Sequence, residues 1–346
     1  MIQKNRLLLS NIQMLRAFAA IAVVLHHAYP HYEAMGGSLP IVGAISQWGF
    51  LGVDIFFVIS GFIMAYTTFN KERTFDNAKT FLKHRLFRIY LGYWPFFLMM
   101  LFALYWTNPQ KLESLDLFGS LFLLNSNMFQ LVLPISWSLS YELYFYILFV
   151  FTFLFSIRYL YVVIPIFTLI ILSLVLYAFF NAAFPHSFFY SPFILEFFFG
   201  VLLYMYKEYI MKIWLLFFSL VVIVIAYKYG MEHELKNGLY RVSSFGVGAL
   251  FIVLSALILE EKNLFHAGKF FEDLGNASYT LYLSHLIIIQ VFYSSGLRSV
   301  FTMQSDIVPL VGLLLLLVIC IAFSLAYYRK IEKPIYQKAI GYRKKL

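Results

Sequence analysis

Long runs of apolar residues recur along this chain, and they constrain its fold more than any other feature. Ten segments each approach the roughly 20 residues that an α-helix needs to cross a bilayer. They are residues 10–29, 46–69, 83–106, 137–156, 159–180, 190–207, 212–229, 242–260, 277–295 and 307–330. The chain is 62% hydrophobic and only 12% charged, so a soluble core could not bury its apolar surface. We therefore expect an all-α polytopic membrane helix bundle of about ten transmembrane helices, forming a single domain over residues 1–346.

The distribution of lysine and arginine predicts the orientation of these helices. Both termini and the loops after the even-numbered segments carry most of the 26 basic residues. The positive-inside rule then places both termini in the cytoplasm, and it accounts for the net charge of +9 without a nucleic-acid partner. The stretch 115–133 is apolar but short and interrupted by asparagine and serine, so we interpret it as an interfacial or re-entrant piece. If this stretch crossed the membrane as an eleventh span, the orientation of every later helix would be inverted.

Ionisable side chains inside apolar segments are costly unless they face a bundle interior, so each one is a candidate functional residue. Arg16 and His27 are eleven residues apart in the first segment, which puts them on one helix face about 16 Å apart along the axis. Asp54 lies in the outer half of the second segment, where a carboxylate could fix the tautomer of His27. The structural alternatives are a snorkelling arginine, an interfacial histidine and a packing hydrogen bond.

Two further segments carry polar residues at helical spacing. Arg85 and Arg88 share a helix face at the predicted cytoplasmic end of the third segment, where they could hold a phosphate. Alternatively, they lie there only because basic residues favour the cytoplasmic side of a membrane, where they contact lipid headgroups. Ser138, Glu142 and Tyr146 recur every four residues and line one face of the fourth segment. Glu142 could form a structural ion pair with an arginine, or it could position an acceptor hydroxyl.

The remaining polar residues receive structural roles or none. We expect His285 in the ninth segment to make a structural hydrogen bond, and Glu332, Lys333 and Pro334 to close the last helix. Glu196 is a buried acid without an assignment. The sequence contains no metal-ligand spacing and no phosphate-binding loop, so we expect no metal cofactor.

Six pieces of the sequence occur together in an order that is characteristic of one family. They are "LRAFAAIAVVLHH", "GVDIFFVISGFIM", "FLKHRLFRIYLGYW", "SWSLSYELYFY", "LGNASYTLYLSH" and "IEKP". With them the chain resembles the membrane-bound acyltransferase-3 family of bacterial O-acyltransferases, and it is similar to the exopolysaccharide acetyltransferase branch typified by succinoglycan modification. The resemblance places the family's functional positions on residues of this sequence. Its basic residue and histidine fall on Arg16 and His27, and its aspartate falls on Asp54. Its paired-arginine motif falls on Arg85 and Arg88, and its glutamate falls on Glu142.

The resemblance implies an acetyl-CoA-dependent O-acetyltransferase of polysaccharide biosynthesis in the bacterial inner membrane. Its donor would be cytoplasmic acetyl-CoA or another acyl-CoA, and its acceptor a carbohydrate hydroxyl on a lipid-linked glycan, exopolysaccharide or O-antigen repeat unit. The expected roles are His27 as base with Asp54 orienting it, Arg16 at the oxyanion, Glu142 as a further catalytic residue, Arg85 and Arg88 on the donor phosphates, and Trp137, Ser138 and Tyr146 at the acceptor. We expect no appended SGNH-type domain of the kind that some relatives carry.

Several alternatives stay open within and beyond this interpretation. His26 could be the base in place of His27, the acyl group could be succinyl, and transfer could be direct or pass through an acyl-histidine. A proton-coupled secondary transporter would also use buried Arg, His, Asp and Glu, although the sequence shows no paired Gly- or Pro-broken helices of inverted repeats. A non-catalytic scaffold for glycan assembly would tolerate the loss of His27. The sequence predicts no particular protein partner.

Overall fold

The computed structural model describes residues 9–181, 184, 187–232, 238–294, 296–302 and 307–341, and it is built from α-helices. The longer helices, numbered here in chain order, are α1 (Ser10–Ala34), α2 (Gly52–Thr68), α3 (Phe75–Thr107), α4 (Trp137–Val150), α5 (Ile157–Phe180), α6 (Phe193–Met205), α7 (Leu215–Glu232), α8 (Val247–Glu261), α9 (Ser278–Ser294) and α10 (Ile307–Tyr327). These ranges contain no β-strand, which confirms the all-α class.

Short helical pieces flank or connect the longer helices. The α-helical ones are Pro40–Ser46, Pro109–Leu112, Leu117–Phe122, Lys207–Ile210, Gly238–Arg241, Lys269–Asn276, Leu297–Val300 and Lys333–Ala339. The 3-10 turns are Gly49–Leu51, Pro134–Ser136, Phe151–Leu154 and Phe188–Tyr190. Two π-helical turns, Val242–Gly246 and Tyr328–Glu332, precede α8 and follow α10.

Eight helical stretches within the described residues are long and apolar enough to cross a membrane. They are Ser10–Ala34, Pro40–Thr68, Phe75–Thr107, Pro134–Leu154, Ile157–Phe180, Phe188–Met205, Gly238–Glu261 and Ile307–Ala339. Each overlaps a predicted segment, so the polytopic membrane bundle is confirmed. The other two predicted segments are helical as well, α7 with an apolar part over Leu215–Gly230 and α9 with 17 residues. The total of ten spans and the cytoplasmic location of both termini stay predictions.

The stretch 115–133 does not form a spanning helix. Its helix, Leu117–Phe122, has six residues, against the roughly 20 that a bilayer requires. The last three carbonyl oxygens of this helix accept hydrogen bonds from Tyr93, Trp94 and Tyr90 on α3, over 2.8, 3.1 and 2.9 Å. Backbone groups that leave a helix within a membrane must find such partners in the protein, and α3 provides them here.

The chain divides into two compact units, each assembled from three separate stretches. The first unit comprises Met1–Leu15, Asp54–Lys83 and Tyr141–Gly268, and the second comprises Arg16–Val53, His84–Ser140 and Lys269–Leu346. The single domain expected from the sequence stays a prediction.

In the first unit, α2 and α6 cross with their backbones in contact. A Cβ atom at Gly61 would overlap the carbonyl oxygen of Phe197, and a Cβ atom at Gly200 would overlap the carbonyl oxygen of Val58. Small residues at a helix crossing allow this close approach, which strengthens van der Waals packing where lipid provides no hydrophobic driving force. The crossing therefore fixes how the polar residues of α2 and α6 face each other.

The start of α1 is anchored within the same unit by a buried carboxylate. Glu260 of α8 accepts hydrogen bonds from the backbone nitrogens of Ser10 and Asn11, over 2.8 and 3.1 Å, and from the Ser10 hydroxyl over 3.0 Å. These amides are orphan donors at the positive end of the helix dipole, so a carboxylate satisfies both their bonding and their charge. Asn11 adds hydrogen bonds to the backbone of Ala256 and Ala267.

In the second unit, α1 packs against the turn that leads into α2. A Cβ atom at Gly49 or Gly52 would overlap the carbonyl oxygens of Ala22 and Ala19 respectively, so this turn lies directly on α1. The α9 helix contacts α3, because the Tyr279 hydroxyl donates to the Ile89 carbonyl over 2.9 Å. Within the second unit, these contacts join α1 to the turn before α2, and α9 to α3.

Replacing Gly61 or Gly200 by alanine should lower the stability of the protein. Each new methyl group would meet a backbone carbonyl that cannot rotate away, and such overpacking costs about 1–3 kcal/mol. The measurement is the midpoint of thermal unfolding of detergent-solubilised protein, followed by size-exclusion chromatography. Gly248→Ala is the matched control, because its Cβ would lie 3.6 Å from the Cβ of Ala226 in ordinary contact. An equal midpoint for all three variants would contradict the crossing described here.

Candidate functional site

Two histidines from different helices meet in the second unit. His27 lies on α1 and His285 on α9, with their ring centroids 5.0 Å apart and 3.2 Å between Nδ1 of His27 and Nε2 of His285. His285 is fully buried, whereas His27 is partly exposed. Sequence analysis gave His285 a structural hydrogen bond and did not connect it with His27, which lies 258 residues earlier in the chain.

The neighbours of these rings determine which nitrogen carries the proton in each neutral imidazole. Nδ1 of His285 lies 2.6 Å from the carbonyl oxygen of Tyr282, and Nδ1 of His27 lies 2.9 Å from that of Val23. A carbonyl oxygen only accepts, so both Nδ1 atoms are the donors. Nε2 of His285 is then unprotonated, and the single Nδ1 proton of His27 is shared between the Val23 carbonyl and this nitrogen. The basic nitrogen of His27 is its Nε2.

A polar chain continues from His285 toward the start of α4. The Tyr282 hydroxyl donates to the Ile135 carbonyl over 2.8 Å and lies 2.9 Å from the Ser138 hydroxyl. Ser138 is buried and also donates to Ile135, so its described contacts hold α9 in place. Trp137 begins α4 beside it and is partly exposed.

His26 faces a different neighbour. Its Nδ1 lies 3.0 Å from the carbonyl oxygen of Ser46, in the short helix that precedes α2. Its ring is edge-on to the Phe50 ring, with centroids 5.5 Å apart. Both adjacent histidines therefore have a backbone acceptor, and their rings lie edge to face with centroids 5.2 Å apart, but the described hydrogen bond with His285 belongs to His27.

Arginines from α1 and α3 meet one acid in the second unit. Arg16 and Arg88 both interact electrostatically with Glu332, which ends the π-helical turn after α10. Glu332 also accepts a short hydrogen bond from the hydroxyl of Thr280 on α9. Arg85 lies three residues before Arg88 and is partly exposed, as the other two arginines are. The structure thus brings Arg16 and Arg88, predicted as separate elements, to the same carboxylate.

In the first unit, Asp54 has a guanidinium partner where sequence analysis expected an imidazole. Nε of Arg241 lies 3.0 Å from Oδ1 of Asp54, and its NH2 nitrogen lies 2.7 Å from Oδ2, which makes the pair bidentate. Asp54 is 1% exposed and the Arg241 side chain 12%, and the guanidinium also lies over the Phe193 ring. A buried ion pair of this geometry requires both partners, because either charge alone would be costly. The orientation of His27 by Asp54 stays a prediction.

Glu196 lies close to this ion pair. Its side chain is fully buried, and it interacts with the charges of Asp54 and Arg241. Neither carboxyl oxygen accepts a hydrogen bond from the described residues. A Cβ atom at Gly246, in the π-helical turn that follows Arg241, would lie 2.6 Å from Oε1 of Glu196. Sequence analysis left Glu196 unassigned and did not single out Arg241, so it missed this cluster.

One carboxylate oxygen of Glu142, on α4, accepts hydrogen bonds from two hydroxyl groups. The Ser60 hydroxyl of α2 donates to Oε1 over 3.1 Å, and the Tyr146 hydroxyl donates to the same atom in a short hydrogen bond. Glu142 is partly exposed. Ser60 thus links α2 to Glu142 on α4. Both described bonds fall on Oε1, so Oε2 can accept from a further hydroxyl.

The two units thus hold separate polar centres. The second unit contains the His27–His285 pair and the Arg16–Arg88–Glu332 cluster, and the first contains the Asp54–Arg241–Glu196 cluster and Glu142. Among the described residues, no three His, Cys, Asp or Glu side chains converge as a bound metal ion would require. The chemistry that these centres offer is acid–base chemistry at an imidazole and anion binding at arginines.

Comparison with known proteins connects this arrangement to a reaction class. No curated protein and no solved structure matches the chain. A protein-family model described as an acyltransferase domain matches residues 9–329, which include every polar centre described above except Glu332. The matched region covers nearly the whole chain, and its helices include eight that are able to cross a membrane. This multi-pass membrane protein therefore belongs to the acyltransferase-3 family and is a membrane acyltransferase.

Proposed function

We propose that this protein transfers an acetyl group, or another small acyl group, from cytoplasmic acyl-CoA to a hydroxyl of a carbohydrate acceptor. The acceptor would be an exopolysaccharide, an O-antigen repeat unit or another lipid-linked glycan in the bacterial inner membrane. The observation that carries the proposal is the contact of Nδ1 of His27 with a carbonyl and a second imidazole, which leaves Nε2 as a base. Family membership supports the acyl-transfer part, and the donor and acceptor classes are inferred.

The arginines of the second unit support an acyl-CoA donor. Arg85 and Arg88 could hold its phosphates by charge-assisted hydrogen bonds near the cytoplasmic end of α3. Arg16 shares Glu332 with Arg88, and it lies about 16 Å along α1 from His27. An extended pantetheine arm has a similar length. A donor whose phosphates are held at α3 could therefore present its thioester near His27.

The proposed reaction is a direct transfer that conserves protons. Nε2 of His27 removes the proton from the acceptor hydroxyl as its oxygen attacks the thioester carbonyl carbon. The carbon–sulfur bond then breaks, and the imidazolium returns the proton to the leaving thiolate of CoA. A backbone amide near His27 would stabilise the oxyanion that forms in between, because Arg16 lies about 16 Å away along α1. Transfer through an acyl-histidine would use the same nitrogen as nucleophile.

Glu142 supports binding of the acceptor. Its Oε1 is occupied by Ser60 and Tyr146, so the carboxylate is oriented, and its Oε2 could accept from a sugar hydroxyl. Trp137 is partly exposed and could stack on a sugar ring. The described contacts of Ser138 and Tyr146 are with protein groups, so we propose that each acts on the acceptor only through its neighbours, Ser138 in the second unit and Tyr146 in the first.

A proton-coupled transporter is the second candidate function. Glu196, fully buried beside the Asp54 carboxylate, is the kind of carboxyl group that such a transporter would use. Flux assays in liposomes beside assays of CoA release separate the two functions. An acyltransferase releases CoA in the presence of acceptor without a proton-driven flux.

His27→Ala should abolish transfer while the protein remains folded. A positioned general base contributes about 10²–10⁴-fold, so CoA release from acetyl-CoA should fall by a factor in that range. The assay follows free thiol with purified wild type and a crude lipid-linked glycan fraction as acceptor, and size-exclusion chromatography verifies the fold. His26→Ala is the matched variant and should keep most of the activity. Full activity of His27→Ala, or equal losses in both variants, would contradict His27 as the base.

The double variant Arg85→Ala/Arg88→Ala should mainly raise the KM for acetyl-CoA. Each lost hydrogen bond to a charged group is worth about 1.5–3 kcal/mol, so KM should rise at least about tenfold, with a smaller change in kcat. Arg158→Ala at the start of α5 is the control, since Arg158 is an exposed basic residue outside the proposed donor site. A kcat loss with unchanged KM would remove the donor-binding role.

A further inference from the structure

His285 is buried with both ring nitrogens in contact with protein groups. Its Nδ1 donates to the carbonyl of Tyr282 within α9, and its Nε2 accepts from Nδ1 of His27. Its side chain is fully buried, so substrate has no direct access to it. A direct role in the chemistry is therefore excluded for this ring, and its contact with His27 is the way in which it can act.

The contact with His285 adds something that the Val23 carbonyl cannot provide. Val23 is on α1 itself, one turn before His27, so its hydrogen bond fixes the protonated nitrogen but moves with the helix. His285 belongs to α9, which is tied to α3 through Tyr279 and to Ile135 through Tyr282. Because α9 is held by α3 and Ile135 and not by α1, an acceptor on α9 sets the direction in which the His27 ring points. It thereby sets the position of Nε2 of His27.

We propose that His285 is the positioning residue of the reaction, and that it performs for His27 the orienting role that the sequence suggested for Asp54. The inference rests on the proposed function of His27 as base. An acidic partner is the usual orienting group of a catalytic imidazole, and here an imidazole takes its place. The pair orients His27 without placing a negative charge beside the acceptor hydroxyl and the thioester.

Two amide substitutions separate this role from simple packing. In His285→Gln the side-chain oxygen can reach the position of Nε2 and accept from His27. In His285→Asn the shorter amide can still donate to the Tyr282 carbonyl, but it does not reach His27. We expect kcat of His285→Gln to stay within a few-fold of wild type. For His285→Asn we expect kcat to fall about 10–100-fold, as when an orienting partner is removed from a functional imidazole, with the KM for acetyl-CoA unchanged.

A second readout does not require turnover. In protein labelled with ¹⁵N-histidine, the His27 signals, assigned by their loss in His27→Ala, should report a protonated Nδ1 and an unprotonated Nε2. His285→Gln should preserve these signals, and His285→Asn should shift or broaden them. The nitrogen signals test the orientation of His27 by His285 even if wild type transfers no acyl group. That second result would contradict the proposed function and not the contact between the two histidines.

Three results would overturn the proposal. One is a folded His285→Asn variant with wild-type kcat. Another is an equal loss of kcat in the Gln and Asn variants when both are folded. The third is a set of His27 nitrogen signals that is identical in wild type and His285→Asn. If both variants fail to fold in detergent, wild-type signals that place the proton of His27 on Nε2 would overturn the proposal, because it requires that proton on Nδ1.

Discussion

Many polar groups of this protein are buried between apolar helices, and the rest of its structure depends on how they are satisfied. Within the hydrocarbon region an unpaired backbone or side-chain group costs several kcal/mol. The short helix Leu117–Phe122 is possible because three side chains of α3 cap its carbonyls. The start of α1 is possible because Glu260 accepts from its first amides. In both places a helix end is satisfied by a side chain from a distant part of the chain.

Charged side chains obey the same constraint, and both charged clusters lie beside a π-helical turn. Arg241 immediately precedes the turn Val242–Gly246, and Glu332 ends the turn Tyr328–Glu332. A π-helical turn holds an additional residue, so it rotates the side chains that follow it relative to a regular helix, and such turns are frequent at functional sites. In the first unit the turn also presents Gly246 to Glu196, where a larger residue would press against the carboxyl group. These turns therefore direct charged groups in ways that a regular helix would not.

The helices could be predicted from the sequence, because length and apolarity alone determine them in a membrane. All ten predicted segments are helical, and the stretch 115–133 is correctly separated from them. The partners of the polar residues could not be predicted in this way. Asp54 and Arg241 are 187 residues apart and His27 and His285 are 258 residues apart, so no local pattern connects them.

Pairing oppositely charged residues that lie at the same predicted depth in the membrane could have identified some of these ion-pair partners from the sequence. In the predicted topology, Asp54, Glu196 and Arg241 all lie near the outer ends of segments that run inward. An arginine at the depth of two buried acids predicts an ion pair with one of them. The same rule groups Arg16, Arg88 and Glu332 at one predicted depth, and in the structure both arginines interact with Glu332. It cannot find the two histidines, because neutral imidazoles carry no charge to match.

The neutral partner of His27 has a consequence for how the proton moves. A carboxylate beside an imidazole stabilises the imidazolium and lets the charge persist. The partner here is a second imidazole, itself bound to a carbonyl, and it can orient His27 without compensating its positive charge. In a site with little water an uncompensated imidazolium is short-lived. Direct transfer and transfer through an acyl-histidine both place a positive charge on the His27 ring, so in either route the charge lasts only until the ring gives up a proton.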